Sequence, residues 1–459
     1  MKQYPPGPRS RFPGEPLLAF RRDPLSYLTT AAREHGDVVH LRLGPRHFFL
    51  LNHPELVKDV LVTHHRRFTG LAFEAGKRIT GEGLLSAQGE AHRRQRRLLQ
   101  PAFHREVLAA YGTTMTEHAL RWCERHHDGE IVAIRTEMMR LTLGVVGETM
   151  FGATDSTAAD DVRELIDAAM ALFGPITFAF ASLVERLPTP TARRFVRARE
   201  RLDARVYRML SERRSSGASR PDLLSMLLVA PDVEGDGGGL TDRQLRDEIV
   251  TIFLAGHETT ASALTWGWAL LAQHPAVEAK LHAELDAVLG GRVPTAADLP
   301  RLPYTTGVFA ETLRLYPPAP MVFRRALEDH PVGEYVIPPG GIVILSQYVM
   351  HRDPRFFDDP EAFEPDRWQP DARVTRHRYA YFPFGGGPRV CIGEGFAETE
   401  GVLVLATVAQ RWRPMLLADG VPGRDPQRQT RPSDSLRMRL VRRVPTPRMA
   451  SVLMGGFAR

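Results

Sequence analysis

Cys391 is one of only two cysteines in 459 residues, and it sits in FPFGGGPRVCIGEGFA, residues 382–397. A glycine-rich loop precedes it and a helix-like stretch follows. Gly385, Gly386 and Gly387 permit tight backbone paths that a Cβ would block. A cysteine held at a helix start has its thiolate favoured by the helix N-terminus. Three chemistries could use such a sulfur. A cysteine nucleophile wants a histidine base in reach, which sequence alone does not place. A zinc site wants further cysteines or paired histidines, and none is well spaced. A single thiolate in a rigid loop suits one axial position of haem iron. The other cysteine, Cys123 in ALRWCERHH, lies on a helical pattern and reads as a small core hydrophobe.

Three further stretches place chemistry-bearing residues at short spacing. AGHETTASAL, residues 255–264, puts a polar ETT inside an apolar helical run. HETTA falls short of the zinc-protease pattern HExxH, because position 261 is alanine. Buried polar groups are costly unless partnered, so these residues either work or bond back to the helix and kink it. ETLR places Glu311 and Arg314 on one helix face, where they can pair. Alone, that is an ordinary surface ion pair. GEAHRRQRRLLQPAF gathers Arg93, Arg94, Arg96, Arg97 and Arg105, by default a solvated basic face.

Taken together these motifs resemble the cytochrome P450 family. FGGGPRVCIG matches the family's haem-binding loop at Phe384, Gly387, Arg389, Cys391 and Gly393. The resemblance implies haem b as cofactor and Cys391 as the iron ligand. It implies that Glu258 and Thr259 are the acid–alcohol pair over the haem, with Ala255 small enough to leave room for dioxygen. FEPDRW resembles the segment whose arginine, here Arg367, completes a buried network with Glu311 and Arg314. His92, Arg96 and Arg324 match positions that bind the haem propionates. Many members carry tryptophan where this chain has His92, and Arg325 is the alternative to Arg324 if the register slips. The resemblance spans roughly residues 35–445.

The elements that must position these residues follow from periodicity. DVVHLRLGPRHFFLLN reads as two strands joined at Gly44-Pro45. Residues 89–230 are mostly helical, as in EVLAAYGTTMTEHALRWCERH, DVRELIDAAMALF and RRFVRARERLDARVYRMLSERR. APDVEGDGGGLTD is an exposed loop leading into a helix from about Asp242 to Ala272. That helix is apolar on nearly all sides, hence buried. YTTGVFAETLRLYP is a helix stopped by Pro317-Pro318. Residues 331–348 look like one hairpin. The expected fold class is mainly α with minor β, an α+β cytochrome P450 fold in a single domain with a long buried central helix. Residues 1–34 form a Pro/Arg-rich leader and a first helix, 35–445 the haem-thiolate domain and 446–459 a tail.

The chain is 43% hydrophobic and 25% charged, ordinary for a globular protein. The N-terminus lacks the apolar run of a secretory signal or membrane span, so no membrane anchor and a cytoplasmic location are expected. Net charge is +6, with no nucleic-acid motif, which favours an acidic protein as partner. The family reading is a monooxygenase that inserts one atom of O2 into a hydrophobic small molecule, terpenoid, fatty acyl or steroid-like. Electrons would come from an acidic ferredoxin with its NAD(P)H-dependent reductase. By family topology the pocket is lined by Phe73, Ile79, Leu84 and Leu85, by Leu172, Phe173 and Phe178, and by Ile252, Phe253, Met321 and Val322. The alternatives are a haem-thiolate peroxygenase and a non-enzymatic haem sensor or ligand-binding protein.

Overall fold

The computed structural model describes residues 4–12, 14–70, 77, 79–152, 164, 165, 168, 189–217, 222–229, 239–369, 376–417, 430–433 and 435–443. In chain order the helices are α1 Glu15–Arg22, α2 Pro24–His35, α3 Pro54–Lys58, α4 Gly89–Leu99, α5 Arg105–Arg125, α6 Ile134–Phe151 and α7 Pro190–Ser216. There follow α8 Leu223–Val229, α9 Asp242–Gln273, α10 Pro275–Val288, α11 Pro303–Leu315, α12 Gln347–Met350 and α13 Glu394–Ala409. The strands are β1 Val38–Leu43, β2 Arg46–Leu51, β3 Phe68–Gly70, β4 Ile131–Ala133, β5 Val322–Ala326, β6 His330–Val332, β7 Tyr335–Ile337, β8 Ile342–Leu345, β9 Trp412–Leu416 and β10 Arg437–Arg442. A helical body with small sheets is the α+β architecture that the periodicity implies.

The central helix α9 starts where Thr241 and Gln244 form a reciprocal capping box, and it ends at His274, before Pro275. It is buried on almost every side, against α6 along much of its length. Beneath it α13 runs against α5 and α11. The core around these helices includes Trp122, Trp266, Trp268 and Trp412. Each such large side chain contributes roughly 1.5–3 kcal/mol or more on burial.

Five strands form one sheet in the order β1-β2-β8-β5-β3. β1 and β2 pair antiparallel, Val38 opposite Leu51, through the turn at Gly44-Pro45. The stretch expected as one hairpin divides in two. β6 pairs with β7, turning at Gly333. β8 leaves this pair and lies between β2 and β5. Its four residues, Ile-Val-Ile-Leu, are all buried, as a central strand covered on both faces requires. The leader also differs from expectation. It holds two helices rather than one, divided at Asp23, whose carboxylate caps α2 by accepting from Ser26 N at 3.1 Å. Before them, Pro6 accepts a hydrogen bond from His40 N at 2.9 Å, so the leader packs on the sheet. No helix among the described residues is long and apolar enough to cross a membrane. The segment DVRELIDAAMALF is described only at residues 164, 165 and 168, and residues 230–238 and the tail 446–459 lie outside the described residues.

Candidate active site

The cysteine loop is closed on itself and pressed against its neighbours. Cys391 N–H donates to Phe384 O at 2.9 Å and Val390 N–H to Gly387 O at 3.0 Å. Gly387 has a φ of 66°, and a Cβ there would lie 1.8 Å from Leu61 O. No other residue type fits that approach. Gly393 caps α13, and its N–H points to the Cys391 sulfur. Burial pushes the Cys391 thiol up, while the Gly393 N–H and the Arg96 guanidinium act the other way. Yet the side chain is accessible. A sulfur that is both accessible and desolvated faces an enclosed space rather than bulk water. Such a thiol stays protonated until a metal cation takes the proton's place, and coordination then deprotonates it.

Beside the sulfur lies a group of bases without acids. Arg96 on α4 donates to Val390 O at 2.6 Å, holding helix and loop together. Arg389 donates to Ala87 O at 2.5 Å and to Gln88 Oε1 at 2.9 Å. Arg324 on β5 stands opposite Gly70 in register. Burial first, then Arg389, lowers the Arg324 guanidinium to about 10. His92 is depressed to about 4 by burial and then by Arg389, Arg96 and Arg324. Arg324 is half-buried, whereas Arg325 is exposed. Among the described residues no carboxylate pairs with Arg96, Arg324 or Arg389. Partly buried guanidiniums without counter-ions are costly. A bound group carrying carboxylates relieves that cost. A single accessible sulfur on one side and an anion-seeking rim on the other fit a metalloporphyrin with two propionates.

The middle of α9 interrupts an otherwise buried helix. Ala255 and Thr259, one turn apart, are exposed, although the helix around them is buried. The Thr259 hydroxyl donates to Ala255 O at 2.7 Å, so the back-bonding foreseen for a structural kink is present. It also leaves the Oγ1 lone pairs directed away as acceptors. Glu258 is anchored by Arg135 Nη2 at 3.4 Å and Arg431 Nε at 3.3 Å.

Behind the cysteine loop, Glu311 and Arg314 are fully buried and joined by two hydrogen bonds of 2.8 Å. Arg367 reaches Glu311 at 2.9 Å. Arg314 also donates to the carbonyls of His351, Pro360 and Ala362. Two partners went unforeseen in sequence. Trp368 Nε1 donates to Glu311 Oε2 at 2.8 Å, and the W of FEPDRW was its visible sign. Gln88 holds Arg389, Thr69 and Gly70 at once, and nothing in the sequence marked it.

The residues expected to line a pocket differ in exposure. Leu85 is 68% exposed. Leu84, Ile252, Phe253 and Met321 are buried in core clusters, and Ile79 and Val322 are half-buried against them. Phe253 stacks on Phe151 with ring centroids 4.3 Å apart. Phe73, Leu172, Phe173 and Phe178 lie outside the described residues. On α4, Arg93 is exposed and paired with Glu90, Arg97 is exposed, and Arg94 and Arg96 are half-buried.

A family model described as Cytochrome P450 matches residues 5–435. Among curated proteins, cyclooctatin synthase of Streptomyces melanosporofaciens is 41% identical, covering 94% of this chain and 93% of its own. Pentalenene oxygenase of Streptomyces avermitilis is 36% identical, covering 85% of this chain and 87% of its own. Among solved structures, a retinoic acid-bound cyanobacterial CYP120A1 superposes with a TM-score of 0.85 at 26% identity, covering 96% of this chain and 100% of that one.

Proposed function

The chain belongs to the cytochrome P450 family and is a haem-dependent monooxygenase, and from that premise we propose that it hydroxylates a terpenoid with electrons from an acidic ferredoxin. The observation that carries the site reading is the pairing of an accessible, desolvated Cys391 sulfur with a rim of unpaired arginines. Cys391 holds the iron. Arg96, Arg324, Arg389 and His92 hold the carboxylates. Haem supplies the activation of dioxygen and its transfer as one atom to a C–H bond.

The chain's own residues supply order and protons. Thr259 Oγ1, its hydrogen committed to the Ala255 carbonyl, accepts from a donor in the cavity and so fixes where a proton waits. Glu258, held between Arg135 and Arg431, is the acid that replenishes that donor through water. Ala255 keeps the space beside Thr259 open, and the Phe384 carbonyl fixes the cysteine loop by accepting from Cys391 N–H. The terpenoid assignment is supported by the printed names of cyclooctatin synthase and pentalenene oxygenase. The acidic partner is supported by the net charge of +6 and by the exposed arginines of α4. With only two cysteines, both free, a reducing cytoplasmic setting is the compartment we assign.

Turnover of the holoenzyme with labelled dioxygen, a ferredoxin and its NAD(P)H-dependent reductase, over a panel of cyclic terpenes and terpene alcohols, tests the reading. One labelled oxygen per product is expected, with peroxide alone a poor substitute. Equal turnover with peroxide and no reductase would replace the ferredoxin by a peroxygenase mechanism. Oxidation of fatty acids alone would overturn the terpenoid class.

A further inference from the structure

Asp59, His64 and His330 form a cluster that the haem site does not use. Asp59 opens a single π-helical turn, Asp59–Thr63; such turns are rare and concentrate at functional sites. His64 follows that turn, and His330 starts β6, so the cluster joins segments 271 positions apart. His64 Nδ1 is 2.6 Å from Asp59 Oδ1, and His330 Nε2 is 2.7 Å from Asp59 Oδ2. All three ligand atoms lie within 4.8 Å of one another. The rings meet edge to face at 5.4 Å, with Phe68 against His330 on another side. His330 is buried, whereas Asp59 and His64 keep part of their surface in solvent. The Nδ1 of His330 is buried and has no hydrogen-bond partner, so the Asp59 contact alone sets that ring's tautomer. Among the described residues the ion-pair partners of Asp59 are these two imidazoles.

We propose that Asp59, His64 and His330 bind one first-row divalent cation, zinc by preference. Two imidazoles and a carboxylate are a donor set for zinc, cobalt, nickel or copper, whereas calcium and magnesium demand oxygen. A tetrahedron of bonds of roughly 2.0–2.1 Å has edges of about 3.3 Å, so the ring nitrogens must back away from Asp59 by about 0.6–0.7 Å. His64, at the solvent edge, has room to do so, and the remaining position opens to water. A carboxylate only accepts, so each imidazole presents an N–H toward Asp59; as the cation enters, that proton moves to the ring's other nitrogen and the freed lone pair binds. The site is structural. The turn it ties down carries the Leu61 carbonyl that abuts Gly387, and the same turn packs along Gly387–Arg389. A cation there stiffens the wall behind the cysteine loop without touching the iron.

The test uses the purified haem-loaded protein, treated with a chelator and then dialysed against zinc chloride. Elemental analysis is expected to give one zinc per chain beside the iron, displaced by nickel but not by excess magnesium. Zinc is expected to raise by a few degrees the midpoint at which the haem-thiolate absorbance is lost on heating. His64→Gln and Asp59→Asn alter part-exposed side chains; each is expected to weaken zinc binding at least about tenfold and abolish the shift. His40→Gln removes one of the other paired histidines, His40 and His47, and is expected to change neither. No stoichiometric zinc in the parent, or zinc held equally by the Asp59 and His64 variants, would overturn the proposal. Either failure leaves the reading of Cys391 untouched.

Discussion

At Thr259 the structural and functional readings converge on one bond. The hydroxyl bonds back to Ala255 O at 2.7 Å, as a threonine does that merely settles into a helix. Because that bond uses the hydrogen, the oxygen is left to accept from the cavity. Thr259→Ala is therefore expected to keep substrate affinity but release more peroxide per electron pair, with product per pair falling severalfold. Thr259→Ser should restore coupling. An unchanged ratio of product to electrons consumed in the alanine variant would reduce Thr259 to a helix-bending residue. Short spacing was legible at this scale: ETLR gave the Glu311–Arg314 pair and AGHETT the Thr259–Ala255 bond, each within four positions. Gln88 was not, because it meets Arg389 across 301 positions and glutamine has no distinctive pattern. Phe253, which the family resemblance places in the pocket, is buried and stacks on Phe151.

Between elements, the Glu311 network does the fastening. It ties α11 to the 351–368 segment and is buried with every carboxylate oxygen partnered. Breaking such a network strands charge in a dry interior. Glu311→Gln is expected to cost about 3–5 kcal/mol in denaturant unfolding and to lower haem retention. Trp368→Phe, which removes one donor, should cost only about 1–3 kcal/mol. A Glu311→Gln protein as stable as the parent would refute the role given to the network. Buried titratable groups shape the response of the fold to acid. His282 on α10 is lowered to about 4 by burial and then by Arg443. It stays neutral in the fold while the unfolded chain protonates it below about 6.5. The unfolded state thus gains as pH falls from 6.5 toward 4, and above 6.5 the group adds no slope. Glu248, raised to about 7 by burial, works in the opposite sense between about 4.5 and 7. The gap in thermal midpoint between parent and His282→Gln should therefore move in favour of the variant from pH 7 to pH 5. A constant gap would show that His282 is not depressed. Local patterns located both α9 and α11. They misassigned β8, because an apolar run of four reads the same in a hairpin as in a central strand.

For the whole molecule, helix α4 carries arginines of two kinds. Arg96 turns inward to Val390, while Arg93 and Arg97 are exposed on the same helix. Arg93→Glu and Arg97→Glu are expected to slow ferredoxin-driven reduction and flatten its salt dependence, with haem content unchanged. Arg96→Glu should instead lower haem occupancy. Small and equal effects on both quantities at all three positions would contradict that division. The central claim is that a loop shaped by Gly387 and closed by the Cys391–Phe384 hydrogen bond presents a thiolate to iron. The absorbance of the reduced carbonyl complex reads that bond directly. The parent is expected to show the thiolate-type band, and Cys391→His to bind haem but lose it. A thiolate-type band that survives in Cys391→His would contradict the account.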